Sequence, residues 1–373
     1  MGQNHKDTKT QRRPHQRTVI CGLLCVFVSL WFSISWSQST WTDPVKLKEL
    51  GDERIAHSDF REGLPLLETA VELAPAWEEG LASLANALHL QRRLDEAADR
   101  YARLLHVAPP TAPSKQQEDV ILRFSPRVFQ TPTDPFPLKD VLAIHHPHEP
   151  LIAYHFFWAD DIDFPDDNDP CDHELVWVRY DPSAQMITDL TTYFHGRLLR
   201  SAAAVQDAHL HGERPRVNVQ WGKHGSLPFG WEELSIQADA GDIEKSYLDL
   251  AKPMRLADYN RATYLKLRNE GRRLMDHPLA RTWPKRFDGS WEQFVEFRKE
   301  IDVRQVLKQS RAMAVSAWNN AVLQQRFLPY NFRPKTEWPD QPSSTAAGLE
   351  LRRATASSND RLIDINCKAA DCV

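Results

Sequence analysis

Asp160 to Tyr180 reads DDIDFPDDNDPCDHELVWVRY, and eight of its first fifteen residues are carboxylates. Hard carboxylate oxygens with an occasional imidazole suit Ca²⁺, Mg²⁺ or Mn²⁺ better than structural zinc. Asp169, Asp172, His173 and Glu174 are therefore the expected ligands of a divalent cation. The stretch up to Asp172 is polar and contains Pro165 and Pro170, so it reads as a loop that enters an apolar, β-branched strand. In extended geometry Asp172 and Glu174 project from one face and His173 from the other. Like charges this dense repel one another unless a cation neutralises them. The plain alternative is a solvated acidic loop. It is not an EF-hand, because the glycine and the closing glutamate of that loop are missing.

Of 15 histidines, nine lie between His145 and His224, where acid–base chemistry is sought first. His195 and His224 each precede a glycine, in YFHGRLL and in WGKHGSLPFG. A His-Gly pair at a strand end lets the backbone turn sharply and presents the imidazole to a cleft. If a bound cation polarises a substrate or acidifies a water, these two are the candidate general bases. No P-loop, glycine-rich dinucleotide fingerprint, G-x-S-x-G elbow or H-E-x-x-H occurs. Cys171, flanked by proline and carboxylates, would have its thiol pKa raised, the wrong direction for a nucleophile.

The order of an acidic-His-Glu segment before a strand, an H-G segment, and a Pro-Arg-Val strand ending in G-x-H resembles the necrosis-inducing protein family and its vacuolar-sorting-like relatives. The matching positions are Asp172, His173 and Glu174, then Gly222-Lys223-His224-Gly225. The resemblance covers residues 151–233 and implies a β-sandwich with a divalent cation held by an H-x-H-D-W-E type motif. Here Asp169-Pro170-Cys171 stands where that motif begins, and no Trp separates the Asp from the Glu. The toxin activity of that family is not carried over.

The elements that must position these residues are legible in outline. From Leu151 the chain shows short β-favouring runs, LIAYHFFW, ELVWVRY, MITDLTTYFH and RVNVQWG, each bounded by turn residues. This spacing predicts a central antiparallel β-sandwich over 151–245, with 201–211 as one intervening helix or loop. Residues 111–150 are rich in proline and read as a linker or an extended rim. Helical periodicity over 246–338 predicts helices packed on the sheet, and 339–373 a mobile tail.

Upstream, the chain matches itself at a fixed offset. Leu50-Gly51 falls on Leu84-Ala85, Gly63 on Ala97, Leu67 on Tyr101 and Pro75 on Pro109. That period of about 34 residues, with small residues at helix contacts and a closing proline, resembles the tetratricopeptide repeat over 47–110. The resemblance implies helical hairpins over 43–110 that offer a groove to a protein or peptide partner, or else a short scaffold. Two repeats must lean on something further, since about three bury a continuous core.

Val19 to Trp36 is almost wholly apolar, and no charge lies between Thr18 and Thr42. The segment is long enough to cross a bilayer, and the basic residues before it predict a cytoplasmic N-terminus. Residues 1–42 thus read as a basic tail and an uncleaved signal anchor, with a cleaved signal peptide as the alternative. The bulk of the chain is then exoplasmic, periplasmic or lumenal. There Cys367 and Cys372 could pair or remain free thiols. The overall class is α+β. The net charge of −5, with no basic stripe, argues against nucleic-acid binding. Two functions stay open: a membrane-anchored binding or interaction module, and a metal-dependent hydrolase built on the Asp/His/Glu cluster.

Overall fold

The computed structural model describes residues 42–159, 161–162, 172–270, 286–321 and 323. The anchor segment, Asp169, Cys171, Cys367 and Cys372 lie outside them. Among the described residues no helix is long and apolar enough to cross a membrane. The described residues from Pro44 onward pack as one unit, a mixture of helices and open sheets.

Four helices come first: α1 (Pro44–Ala56), α2 (Phe60–Leu73), α3 (Glu78–Leu90) and α4 (Leu94–Val107). Every boundary of the second pair lies one repeat period after its counterpart in the first, so the sequence period is also the helix period. Pro44 opens α1, where its missing N–H leaves no bond unmade. Asp59 caps α2 by accepting from the Glu62 amide. α1 and α2 approach closely at two glycines. A Cβ on Gly51 would stand 2.7 Å from Leu67, and one on Gly63 would stand 3.0 Å from the Gly51 carbonyl. The support that two hairpins need comes from the same chain. Trp318 and Ala321 pack on the apolar cluster of Leu67, Leu81, Leu84, Ala97 and Tyr101. The Trp318 indole N–H also donates to Glu78 at 3.1 Å.

The prolines of residues 111–150 punctuate the segment without keeping it irregular. It carries α5 (Lys115–Arg123), β1 (Arg127–Gln130) and β2 (Leu138–His145). No proline falls between Pro113 and Pro126, and Ser114 with Gln117 closes a full capping box on α5. Then follow β3 (Leu151–Trp158), β4 (Asp172–Asp181), β5 (Met186–Phe194), β6 (Arg197–Arg200), α6 (Ala202–Leu210), β7 (Arg216–Val219) and β8 (Ser226–Pro228). The rest comprises β9 (Ser235–Ile236), β10 (Met254–Arg255), α7 (Leu256–Glu270), α8 (Trp291–Phe294), β11 (Lys299–Asp302), α9 (Val303–Ser310) and β12 (Met313–Val315). The helical periodicity of 291–309 is thus broken by β11, which pairs with the edge of β1.

The larger sheet has the order β12-β2-β3-β4-β5-β6 and the smaller β11-β1-β7-β8. Within 151–245 every strand pairing is antiparallel, as expected, but strands from outside that range bring in two parallel pairs. β12 runs parallel to β2, and β1 parallel to β7, because each partner returns only after a long connection containing helix. One face of β3 and β4 (Tyr154, Phe156, Val176, Val178) shares a core with Val128 of β1 and Val217 and Val219 of β7. The two sheets therefore close on each other through one apolar layer. The opposite face buries Leu151, Ala153, Leu175 and Trp177 in a separate cluster. Burial on both faces is why LIAYHFFW is apolar apart from His155 instead of alternating.

Candidate functional site

The residues that could do chemistry gather around one tight turn, Gln220 to Gly225, between β7 and β8. Gln220 donates its amide to the Gly225 carbonyl at 3.1 Å, and His224 donates its own to Gln220 at 3.0 Å. Gly222 and His224 both have left-handed backbones, φ +66° and +52°. Gly225 has no room for a side chain, since a Cβ would meet Phe194 at 2.8 Å and the His195 ring at 2.9 Å. The turn is held so close to its neighbours that Lys223 and His224, consecutive in sequence, enter two separate buried carboxylate sites.

His224 lies between two aspartates. Its Nδ1 donates to Asp172 at 2.5 Å and its Nε2 to Asp134 at 3.3 Å. The side chains of His224 and Asp134 are fully enclosed. Trp158 stacks on the imidazole at 4.6 Å, and Phe136 meets it edge-on. Asp134 also accepts from the amides of Gly222 and Phe136, both at 2.9 Å, so its orientation is fixed by the backbone. Burial opposes the charged ring, but the two carboxylates outweigh it and hold His224 at about 9, an imidazolium at neutral pH.

Lys223 enters the second site and reaches Glu244 at 2.6 Å, with both side chains buried. Burial raises the Glu244 carboxyl, but the neighbouring ammonium prevails and lowers it to about 2. The same carboxylate accepts from Thr263 at 2.9 Å and lies 3.0 Å from the Tyr259 hydroxyl, which also contacts Asp242. Asp242 in turn is gripped by both terminal nitrogens of Arg197.

His195 borders this second site. With Gly196 it forms a two-residue hairpin between β5 and β6, both residues at positive φ. Its Nε2 donates to the Gln220 side-chain carbonyl at 2.5 Å, and Gln220 passes the bond on to Asn260. Burial, then the charge of Lys223, lowers its pKa to about 4, so the ring is neutral.

No family model, curated protein or solved structure matches the chain.

Among the sequence-derived candidates the fold joins Asp172 directly to His224. It sets His195 on the other side of the same turn, facing Lys223 instead of the aspartates. Glu174 is buried on the same strand face as Asp172. His173 points the opposite way, stacked on Phe157 and bonded to His155 at 2.9 Å, so it does not share a point with Asp172 and Glu174. Asp134, Asp172 and His224 meet one another, but among the described residues no group of three or more His, Cys, Asp or Glu side chains is arranged to hold a metal ion. Asp134, Trp158, Lys223 and Glu244 were missed from sequence. Lys223 carried a signal, a lone cation between glycines beside His224. Asp134, in TPTDPFP, carried none, because 90 residues separate it from its partner.

Chemically, an imidazole with both nitrogens donating to carboxylates is a clamp. It ties the β1–β2 connection, the start of β4 and the Gln220–Gly225 turn together. The Ile162 amide, bonded to the Gly222 carbonyl at 2.7 Å, fastens the chain beyond β3 to the same turn.

Proposed function

We propose that this protein is a membrane-anchored interaction module, with its N-terminus cytoplasmic and its bulk exoplasmic. In this reading the first four helices are a tetratricopeptide-like pair that meets a protein or peptide partner. The two sheets are a β-sandwich of the necrosis-inducing kind, stabilised by a divalent cation. The acidic stretch holds that cation, with Asp169, Asp172 and Glu174 as its oxygen ligands.

The observation that carries the choice of module over hydrolase is the state of His224. Both its nitrogens donate to carboxylates, so it has no lone pair with which to take a proton from a substrate. His195 donates through Nε2 to Gln220 and keeps a lone pair on Nδ1, but its pKa of about 4 makes it a weak base at neutral pH. The cation is supported by charge. Asp134 and Asp172 outnumber the single imidazolium between them, and the sequence leading into β4 adds six further aspartates from Asp160 to Asp169. Carboxylates withdrawn from water need a counter-charge. Asp172 and Glu174 share a strand face and fit an oxygen-coordinated ion, whereas His173 does not contribute.

The test is elemental analysis of the full chain in neutral detergent, comparing wild type with Asp172→Asn/Glu174→Gln. The expected result is about one divalent ion per chain, lost in the double variant. A wild type without metal removes the cation from this reading. Metal-dependent turnover of ester, phosphoester or glycan substrates, lost in folded His195→Gln, would replace the module by the hydrolase.

A further inference from the structure

A second concave site lies away from the clamp, between α5, α9 and the β4–β5 hairpin. It has a volume of about 790 Å³. Its lining carries Lys115, Arg123, Arg304 and Lys308 against a single carboxylate, Asp119, on a chain whose net charge is −5. Lys115 is already bridged to Asp119 at 2.9 Å. Arg123, Arg304 and Lys308 form no ion pair among the described residues.

Arg304 is placed by its hydrogen bonds. Its Nε donates to the Leu122 carbonyl at 2.9 Å and its Nη2 to that of Arg123 at 3.1 Å, closing the C-terminus of α5. This holds the guanidinium at the cleft wall, where burial and the like charge of Arg214 both lower its pKa. Cations crowded in this way favour an anion, and two planar guanidinium groups suit the oxygens of a phosphate.

The cleft adjoins a second pocket of about 360 Å³, and the two share Gln116, Val120 and Gln185. At the second pocket His145 and Tyr180 form a fixed pair. The His145 Nδ1–H donates to the His146 carbonyl at 2.5 Å, which leaves Nε2 to accept from the Tyr180 hydroxyl at 2.8 Å. With its proton spent on His145, the Tyr180 oxygen is left as an acceptor, suited to a ligand hydroxyl. The Gln185 side-chain amide donates to the Pro182 carbonyl at 2.8 Å, which leaves its own carbonyl for the same use.

We propose that this double cleft binds a phosphate ester of a hydroxylated small molecule or lipid headgroup. The phosphate sits over Arg123, Arg304 and Lys308, and the hydroxyl-bearing part sits at Tyr180 and Gln185.

The experiment is calorimetric titration of the full chain in neutral detergent with two probes, glycerol 3-phosphate and short-chain dihexanoyl phosphatidylglycerol. Wild type binds at least one of them, and binding weakens as salt is raised. Arg123→Gln/Lys308→Gln removes two exposed cations without touching the α5 closure. It should lower affinity about tenfold or more while leaving the unfolding temperature unchanged. Tighter binding of glycerol 3-phosphate marks a soluble ester as the source, and tighter binding of the lipid marks a headgroup. Binding of neither probe, or equal binding by the double variant, overturns the proposal.

Discussion

At the residue scale the decisive feature is a charge placed where water cannot reach it. His224 is stabilised as a cation only by Asp134 and Asp172, and they in turn need its charge. Removing one member of a buried ion cluster costs about 3–5 kcal/mol, because the remaining charges stay desolvated. His224→Gln should therefore lower unfolding free energy at pH 7 by about that amount. The pH dependence identifies the cause. The folded value of about 9 stands above the ordinary histidine value of 6.5, so the contribution is complete below 6.5. It is lost as pH rises through about 9. Urea unfolding from pH 6 to 10 should show wild type and variant converging at the alkaline end. A constant gap would mean that packing against Trp158, and not charge, is what the substitution removes.

At the scale of elements, the helical segment depends on close approach. Gly51 and Gly63 face each other where α1 crosses α2, and Ile55 stands 2.7 Å from where a Gly63 side chain would begin. Gly63→Val should force the helices apart and cost about 1–3 kcal/mol, as overpacking does, despite the better helix propensity of most residues over glycine. Because Trp318 docks on the same cluster, the loss should register in tryptophan fluorescence as well as in helical circular dichroism. An unfolding midpoint equal to wild type would show that the hairpin has slack which these contacts do not reveal. The repeat period, the small contact residues and the turn prolines were all readable beforehand, since they are local and recur. The docking of 318–321 was not, because it follows no periodicity and joins Trp318 to Glu78 across a separation of 240 in the chain.

At the scale of the molecule, histidine sets the range of pH in which the fold is stable. Burial lowers His89 to about 3 and His173 and His195 to about 4, and it also lowers His145 and His155. These rings are neutral when folded, whereas the unfolded chain takes up protons near 6.5. Stability should therefore fall as pH drops from 6.5 towards 4, by about 1.4 kcal/mol per pH unit for each histidine involved. With the His224 contribution declining as pH rises from 6.5 to about 9, stability should be greatest near pH 6.5. Thermal unfolding scans from pH 4 to 10 test this, and a melting temperature that does not change between pH 7 and 5 would contradict it.

The class of the fold, the helical repeat, most strand positions, the turn at His195-Gly196 and the opposite faces of Asp172 and His173 were legible in the order of residue types along the chain. All of these follow from the periodicity of strand, helix or repeat, or from the backbone needs of single residues. Which charges meet was settled by packing between distant segments. Asp134 and Asp172 reach His224 across 90 and 52 residues, and Lys223 reaches Glu244 across 21. A buried ion pair has no periodic signature, because its partners are chosen by where two sheets close and not by where they stand along the chain. The same closure converted two histidines that looked alike in sequence into opposites, one an imidazolium between carboxylates and the other a neutral ring beside a lysine.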